Sequence, residues 1–154
     1  MNVSSLMTKL TSGLLGAAVL MAVSLNVSAS ETPASLAGAT LVNAEKAKQL
    51  VDSGTPIIDT RVANEYAEAH IKGAKSVPYK EKSAKAVDFD AAMDTFDLTK
   101  LPADKNAPII FYCNAGECWK SYKASVVAMK SGYKKVYWFR GGIPEWKAKG
   151  YPVE

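Results

Sequence analysis

The segment Ile109-Ile110-Phe111-Tyr112 constrains this chain more than any other. It is apolar throughout, enters directly after Pro108, and runs straight into Cys113 and a loop containing Gly116. Such a run leaves no face for water, so it needs cover on both sides, as a central strand of a parallel sheet has. The rest of the chain supplies that cover by alternating short strands with helices.

Thr40-Leu41-Val42 reads as a strand. Asn43 is a helix N-cap, followed by Ala44, Ala47, Leu50 and Val51 on one face and stopped at Ser53-Gly54. Pro56 to Asp59 is a second buried strand, residues 62–69 a helix, and Ala74 to Pro78 a third strand. Residues 82–104 are polar but carry Phe89, Met93, Phe96 and Leu98, and a helix is expected within this long connection. After the central strand, a helix starts near Lys120, with Tyr122, Val126 and Met129 at helical spacing, and stops at Gly132. Val136 to Phe139 is the last strand, Gly141-Gly142 a turn, and Ile143 to Lys149 a final helix. Strands alternating with helices give an α/β fold with a parallel sheet covered on both faces.

In such sheets, ligands sit beyond the carboxyl ends of the strands. The segment Cys113-Asn114-Ala115-Gly116-Glu117-Cys118-Trp119-Lys120-Ser121 occupies that place, between the most apolar strand and a helix N-terminus. Free backbone N–H groups and the helix dipole there favour an anion, whether a thiolate or a bound oxyanion. Gly116 lets the backbone curl around a ligand, and Lys120 adds positive charge at the rim. The loop is thus a nest for a thiolate or persulfide and for a donor such as thiosulfate. The bland alternative makes Cys113 a small buried hydrophobe and Cys118 incidental.

The N-terminus reads as an export signal. Lys9 is followed by an apolar stretch from Leu14 to Val23 and by small residues in Val27-Ser28-Ala29-Ser30. The apolar run is short of the roughly 20 residues that span a bilayer. Cleavage is placed after Ala29, leaving a flexible leader at residues 30–38 and a single domain at 39–154. Cleavage removes one charged residue, Lys9, so the 19 Lys+Arg become 18 against 15 Asp+Glu. The small excess is scattered, and nothing in it points to nucleic acid. The expected location is the periplasm or beyond, with no membrane contact after signal removal, and the default state is a monomer. Two cysteines five apart cannot staple a domain, and with His70 they fall short of a structural zinc site. No metal or cofactor is expected, which leaves local cysteine chemistry in an oxidising compartment.

Ile57-Ile58-Asp59-Thr60-Arg61, Glu65-Tyr66, His70-Ile71-Lys72-Gly73-Ala74 and Val77-Pro78 are similar to the N-terminal signature of the rhodanese (sulfurtransferase) family. Phe111-Tyr112-Cys113 with Gly116, Ser121, Ala124 and Gly132-Tyr133 resembles its active-site loop and following helix. Gly141-Gly142-Ile143, Trp146 and Gly150-Tyr151-Pro152 resembles its C-terminal signature. The resemblance implies an open parallel five-stranded sheet with helices on both faces and Cys113 as the catalytic sulfur acceptor. It gives Asp59 and Arg61 a supporting role behind the loop, His70 a structural one, and Trp138 and Trp146 places in the core. Asn114, Ala115, Gly116, Glu117, Trp119, Lys120 and Ser121 then line the substrate site.

The loop departs from the common family pattern. Where that pattern has Arg five positions after the Cys, this chain has Cys118, then Trp119, with Lys120-Ser121 two places late. The loop is therefore expected to be two residues longer, and it resembles a set of exported rhodanese-like proteins with a Cys…Cys-Trp loop. Arsenate reductases and dual-specificity phosphatases use longer loops, but need an Arg to close them, and none follows the Cys here. The main expectation is sulfur transfer from thiosulfate or polysulfide to a thiol or cyanide through a Cys113 persulfide. Thiol–disulfide chemistry with Cys118 as resolving residue, served by an exported redox partner, is the second. A non-enzymatic sulfur carrier is the third.

Overall fold

A computed structural model describes residues 30–154. The expected signal segment, residues 1–29, lies outside them. Five strands form one sheet: β1 (Thr40–Leu41), β2 (Ile57–Asp59), β3 (Lys75–Ser76), β4 (Pro108–Tyr112) and β5 (Lys135–Phe139). Their spatial order is β1-β5-β4-β2-β3 and every pairing is parallel. The four helices are α1 (Ala44–Asp52), α2 (Ala63–Glu68), α3 (Lys120–Lys130) and α4 (Gly142–Ala148). The expected α/β architecture is therefore the observed one.

The twofold alternation of side chains along a strand divides the core into two layers. On one face Ile57, Ile110, Tyr112 and Phe139 pack with Ala44 and Ala47 of α1 and with Ile143 and Trp146 of α4. On the other, Ile58, Ile109, Phe111 and Val136 pack with Ala124 and Ala128 of α3. Trp138 continues the α3 side, against Trp119 and Tyr122. Residues 109, 111 and 113 share parity, so the side chain of Cys113 is delivered to the face where α3 begins.

Local capping follows the sequence where the chemistry is simple. Asn43 Oδ1 accepts the Lys46 N–H at 2.9 Å and starts α1. Gly132, at φ 99°, ends α3 in a conformation that costs other residues more.

The connection over 82–104 is a correction. It holds two 3-10 turns, Ala91–Met93 and Leu98–Lys100, and no α-helix. The Asp90 and Asp97 side chains accept the N–H groups two residues on, at 3.0 and 3.1 Å, offering the backbone a turn in place of a helix. Phe96 and Leu98 pack on the α3-side core, whereas Met93 is exposed.

The leader is a second correction. Thr32, expected in a flexible segment, is buried, and its N–H and hydroxyl both donate to the Gly116 carbonyl, at 2.8 and 2.7 Å. The segment lies along the cysteine loop because that loop presents carbonyl and indole groups whose burial requires partners.

Candidate active site

Cys113 is fully buried at the carboxyl end of β4. Its Sγ lies 3.3 Å from the Ser121 N–H nitrogen and 3.1 Å from Ser121 Oγ. Trp119 at the N-cap of α3 supplies no side-chain cap, so no capping side chain competes for the first-turn N–H groups, and that of Ser121 is directed at the sulfur. Trp138 Nε1–H donates to Ser121 Oγ at 3.0 Å. An indole nitrogen can only donate, so this bond leaves the serine proton free to turn toward the sulfur. Two donors, one backbone and one hydroxyl, therefore converge on Cys113 Sγ at a helix N-terminus, which stabilises negative charge there.

Cys113 and Cys118 are joined as a disulfide, with Cα atoms 6.4 Å apart. The Cys118 N–H closes a turn onto the Ala115 carbonyl at 3.0 Å. The N–H groups of Asn114, Ala115, Gly116 and Glu117 engage no acceptor among the described residues. They are available to an anionic group at the loop.

Each remaining residue expected in the site has a definite place. Asn114 Nδ2 donates to Glu65 Oε1 at 2.7 Å, tying the loop to α2. Glu117 is exposed at the loop tip, and Lys120 stands half-buried at the mouth of a neighbouring cleft. Trp119 is a correction. The resemblance places it in the substrate site, but it is 2% exposed, packs edge-on against Tyr122 at 5.2 Å, and donates its indole N–H to the Ser30 carbonyl at 2.6 Å. The ring serves the leader and the core, because a buried indole N–H seeks an acceptor.

Asp59 and Arg61 form a closed polar cluster behind the loop. Arg61 Nη2 donates to Asp59 Oδ2 and to the Ala69 carbonyl, both at 2.7 Å, and Tyr112 donates its hydroxyl to the same Asp59 oxygen at 2.6 Å. Burial, then the Asp59 carboxylate, holds the Tyr112 phenol far above its ordinary range, so it remains a donor. Burial pulls Arg61 downward, but the hydrogen bonds and charge of Asp59 outweigh it and the net shift is upward. The cluster rigidifies the residue just before Cys113. His70 also has a framing position: Nδ1 meets the Tyr66 carbonyl at 2.9 Å and the ring stacks on Tyr66.

Four contributions were not read from the sequence. The Arg140 guanidinium lies against Gly116, where an added Cβ would sit 2.8 Å from it, and donates to Thr32 Oγ1 and the Thr32 carbonyl at 3.0 and 2.8 Å. The arginine on this loop thus comes from the end of β5 and clasps the leader. Gly142, at φ 58°, brings α4 so close that a Cβ would strike the Cys113 carbonyl, which accepts the Ile143 N–H at 3.1 Å. Trp138 has the polar role just given. Lys123, fully buried in α3, lies 2.8 Å from Glu81 Oε2 and from Ser83 Oγ. Among the described residues, no three His, Cys, Asp or Glu side chains gather where they could hold a metal ion.

Residues 43–149 match the Rhodanese-like domain family. The chain belongs to the rhodanese family. It is 30% identical over 110 residues to the thiosulfate sulfurtransferase GlpE of Pseudomonas paraeruginosa (strain DSM 24068 / PA7), covering 71% of this chain and 84% of that relative. It is 31% identical over 121 residues to the tRNA uridine(34) hydroxylase of Yersinia pestis (strain Pestoides F), where the match covers 73% of this chain but 30% of the much longer relative. Among solved structures, a Bacillus halodurans protein superposes with a TM-score of 0.57 at 24% identity, over 75% of this chain and 77% of that one. A thiosulfate sulfurtransferase from Pseudomonas aeruginosa superposes with a TM-score of 0.55 at 20% identity, over 75% of this rhodanese chain and 20% of its own length. Those two likenesses concern the fold.

Proposed function

We propose that this rhodanese is an exported sulfurtransferase that carries sulfane sulfur as a persulfide on Cys113. The observation that carries the reading is the convergence of the Ser121 N–H and the Trp138-oriented Ser121 hydroxyl on Cys113 Sγ at the start of α3. Once an external dithiol has reduced the Cys113–Cys118 disulfide and left as its own disulfide, the Cys113 thiolate attacks the outer sulfur of thiosulfate, the thiosulfate S–S bond breaks, and sulfite leaves with the bonding pair. The persulfide is held by the loop N–H groups until an acceptor thiolate takes the outer sulfur and Cys113 departs as thiolate. Kinship with a thiosulfate sulfurtransferase supports thiosulfate as donor. The signal-like residues 1–29 support action outside the cytoplasm, where a loop disulfide persists.

A second reading rests on the Cys113–Cys118 pairing. In it, Cys118 thiolate attacks Cys113 Sγ of the persulfide, hydrosulfide leaves, and the disulfide then awaits an external dithiol. Intact-protein mass spectrometry separates the two. The reduced protein gains about 32 Da with thiosulfate, and the gain vanishes in Cys113→Ser, if the thiolate is the sulfur acceptor. Persistence of the adduct in Cys118→Ser, combined with its rapid decay to the disulfide in wild type, would favour the second reading. Absence of any adduct in either protein would remove the first.

A further inference from the structure

Beside the sulfur site, a cleft of about 440 Å³ is lined by Val62, Ala63, Pro78, Tyr79, Lys80, Glu81, Lys82 and Lys120. Two of its walls run into the residues that hold Cys113, one along the chain and one through hydrogen bonds. Lys120 immediately precedes Ser121, whose N–H and hydroxyl meet Cys113 Sγ. On the other wall, Tyr79 N–H donates to the Thr60 carbonyl at 3.0 Å, and Thr60 donates in turn to the Tyr112 carbonyl, one residue before Cys113.

The charges of this cleft are sorted. Its acidic residue, Glu81, is turned onto buried Lys123 at 2.8 Å. Neighbouring Asp94 is saturated by Ser83, Tyr79 and the Lys82 N–H. Lys80, Lys82 and Lys120 pair with no carboxylate among the described residues. Opposite them, Val62, Ala63 and Pro78 form an apolar wall, with Val62 47% exposed. A volume in the range of small-molecule pockets is far larger than thiosulfate requires.

Resting on the sulfur-transfer reading, we infer that this cleft selects the acceptor, an organic thiol of small-peptide size carrying carboxylates. The carboxylates lie against Lys80, Lys82 and Lys120, the hydrocarbon portion lies on Val62 and Pro78, and the thiolate reaches the outer sulfur of the Cys113 persulfide. A new S–S bond forms on the acceptor, the bond from Cys113 Sγ to the outer sulfur breaks, and Cys113 keeps the electron pair as thiolate. The transferred sulfur leaves as the acceptor's persulfide.

The test compares glutathione with its diethyl ester as acceptors from persulfide-loaded protein, in wild type, Lys80→Ala/Lys82→Ala and, as a charge-matched control, Lys134→Ala/Lys135→Ala at the opposite strand ends. The ratio of second-order rate constants, glutathione over ester, is expected to fall about fivefold to tenfold in the cleft variant and to stay put in the control. A ratio that is unchanged in the cleft variant, or that falls equally in the control, overturns the assignment. Binding of S-methylglutathione to the reduced proteins gives an answer that needs no persulfide. Weaker binding by a similar factor in the cleft variant supports the cleft, and equal affinities or no saturable binding to wild type overturn it. Failure to load sulfur at all would strike the sulfur-transfer reading, while this binding measurement would still decide the cleft.

Discussion

Trp138 Nε1 and Cys113 Sγ share a single oxygen: Ser121 Oγ accepts from the indole at 3.0 Å and stands 3.1 Å from the sulfur. Trp138 sits in β5, where Phe139 is the register partner of Tyr112, and its side chain reaches α3 across the sheet face. A core aromatic thereby sets the direction in which a hydroxyl donates at the reactive atom.

Trp138→Phe keeps most of the apolar burial and removes only that donor. Persulfide formation from thiosulfate is expected to slow by about tenfold, the size of one hydrogen bond to a charged group. Ser121→Ala should slow it by a similar factor or more. If the two act through one oxygen, the double variant is little worse than Ser121→Ala alone. Stopped-flow loading rates for the four proteins check this, and strictly additive losses would show that Trp138 acts only through packing.

Lys123 argues a stability prediction. Its ammonium has no exposed surface and holds Glu81, Ser83 and, at 3.9 Å, Asp94. Lys123→Met leaves Glu81 buried without its partner, for an expected loss of about 3–5 kcal/mol in urea unfolding. Adding Glu81→Gln should return a substantial part of it, since a neutral amide carries no unpaired charge. A double variant as unstable as the single one would mean that the lysine stem, rather than its charge, matters there.

Acid sensitivity follows from Asp94. Burial pushes its carboxyl upward, but the Ser83 hydroxyl and N–H, the Lys82 N–H and the Tyr79 hydroxyl outweigh this and hold it at about 2, below the ordinary 3.8. A depressed folded-state pKa gives stability that is complete above about pH 4 and is lost as the pH falls toward 2. The loss amounts to about 2 kcal/mol. The stability gap between wild type and Asp94→Asn should therefore be widest at neutral pH and narrow between pH 4 and 2. A gap of constant size across that window would sink the assignment.

Much of this arrangement is legible in the residues themselves. Ile109 to Tyr112 is apolar on both faces because it is central, and the strand-end position of Cys113 follows from it. The strand parity that aims Cys113 at α3 also aims Trp138 there, and a buried indole demands an acceptor. That signal was available, though masked by the plausibility of a core role. Residues 82–104 misled because their apolar side chains suggest a helix, whereas Asp90 and Asp97 capture nearby N–H groups first. Arg140, Thr32 and Gly116 meet through tertiary contact alone, so no local pattern announces the clasp. Lys123 was hidden for a similar reason. A lysine inside a helix reads as solvated until its partners, more than ten residues away in sequence, are placed around it.

Gly142 and Gly54 offer a matched pair for the last prediction. Both have positive φ, 58° and 90°, so alanine at either position is strained by about 1–2 kcal/mol. They differ in their surroundings. Around Gly54 nothing lies within 4 Å of an added Cβ, whereas at Gly142 it would strike the Cys113 carbonyl. Gly142→Ala must therefore push α4 away from the loop or rotate the Cys113–Asn114 peptide, which adds about 1–3 kcal/mol of overpacking. It should also disturb the Ile143 N–H bond to Cys113 that fixes the backbone under the sulfur. Gly54→Ala should lose only the backbone contribution and keep full persulfide loading. Gly142→Ala should lose more stability and most of the loading. Urea unfolding and intact-mass measurements on the two variants check both arms, and equal effects would show that the close approach of α4 has no bearing on the chemistry at Cys113.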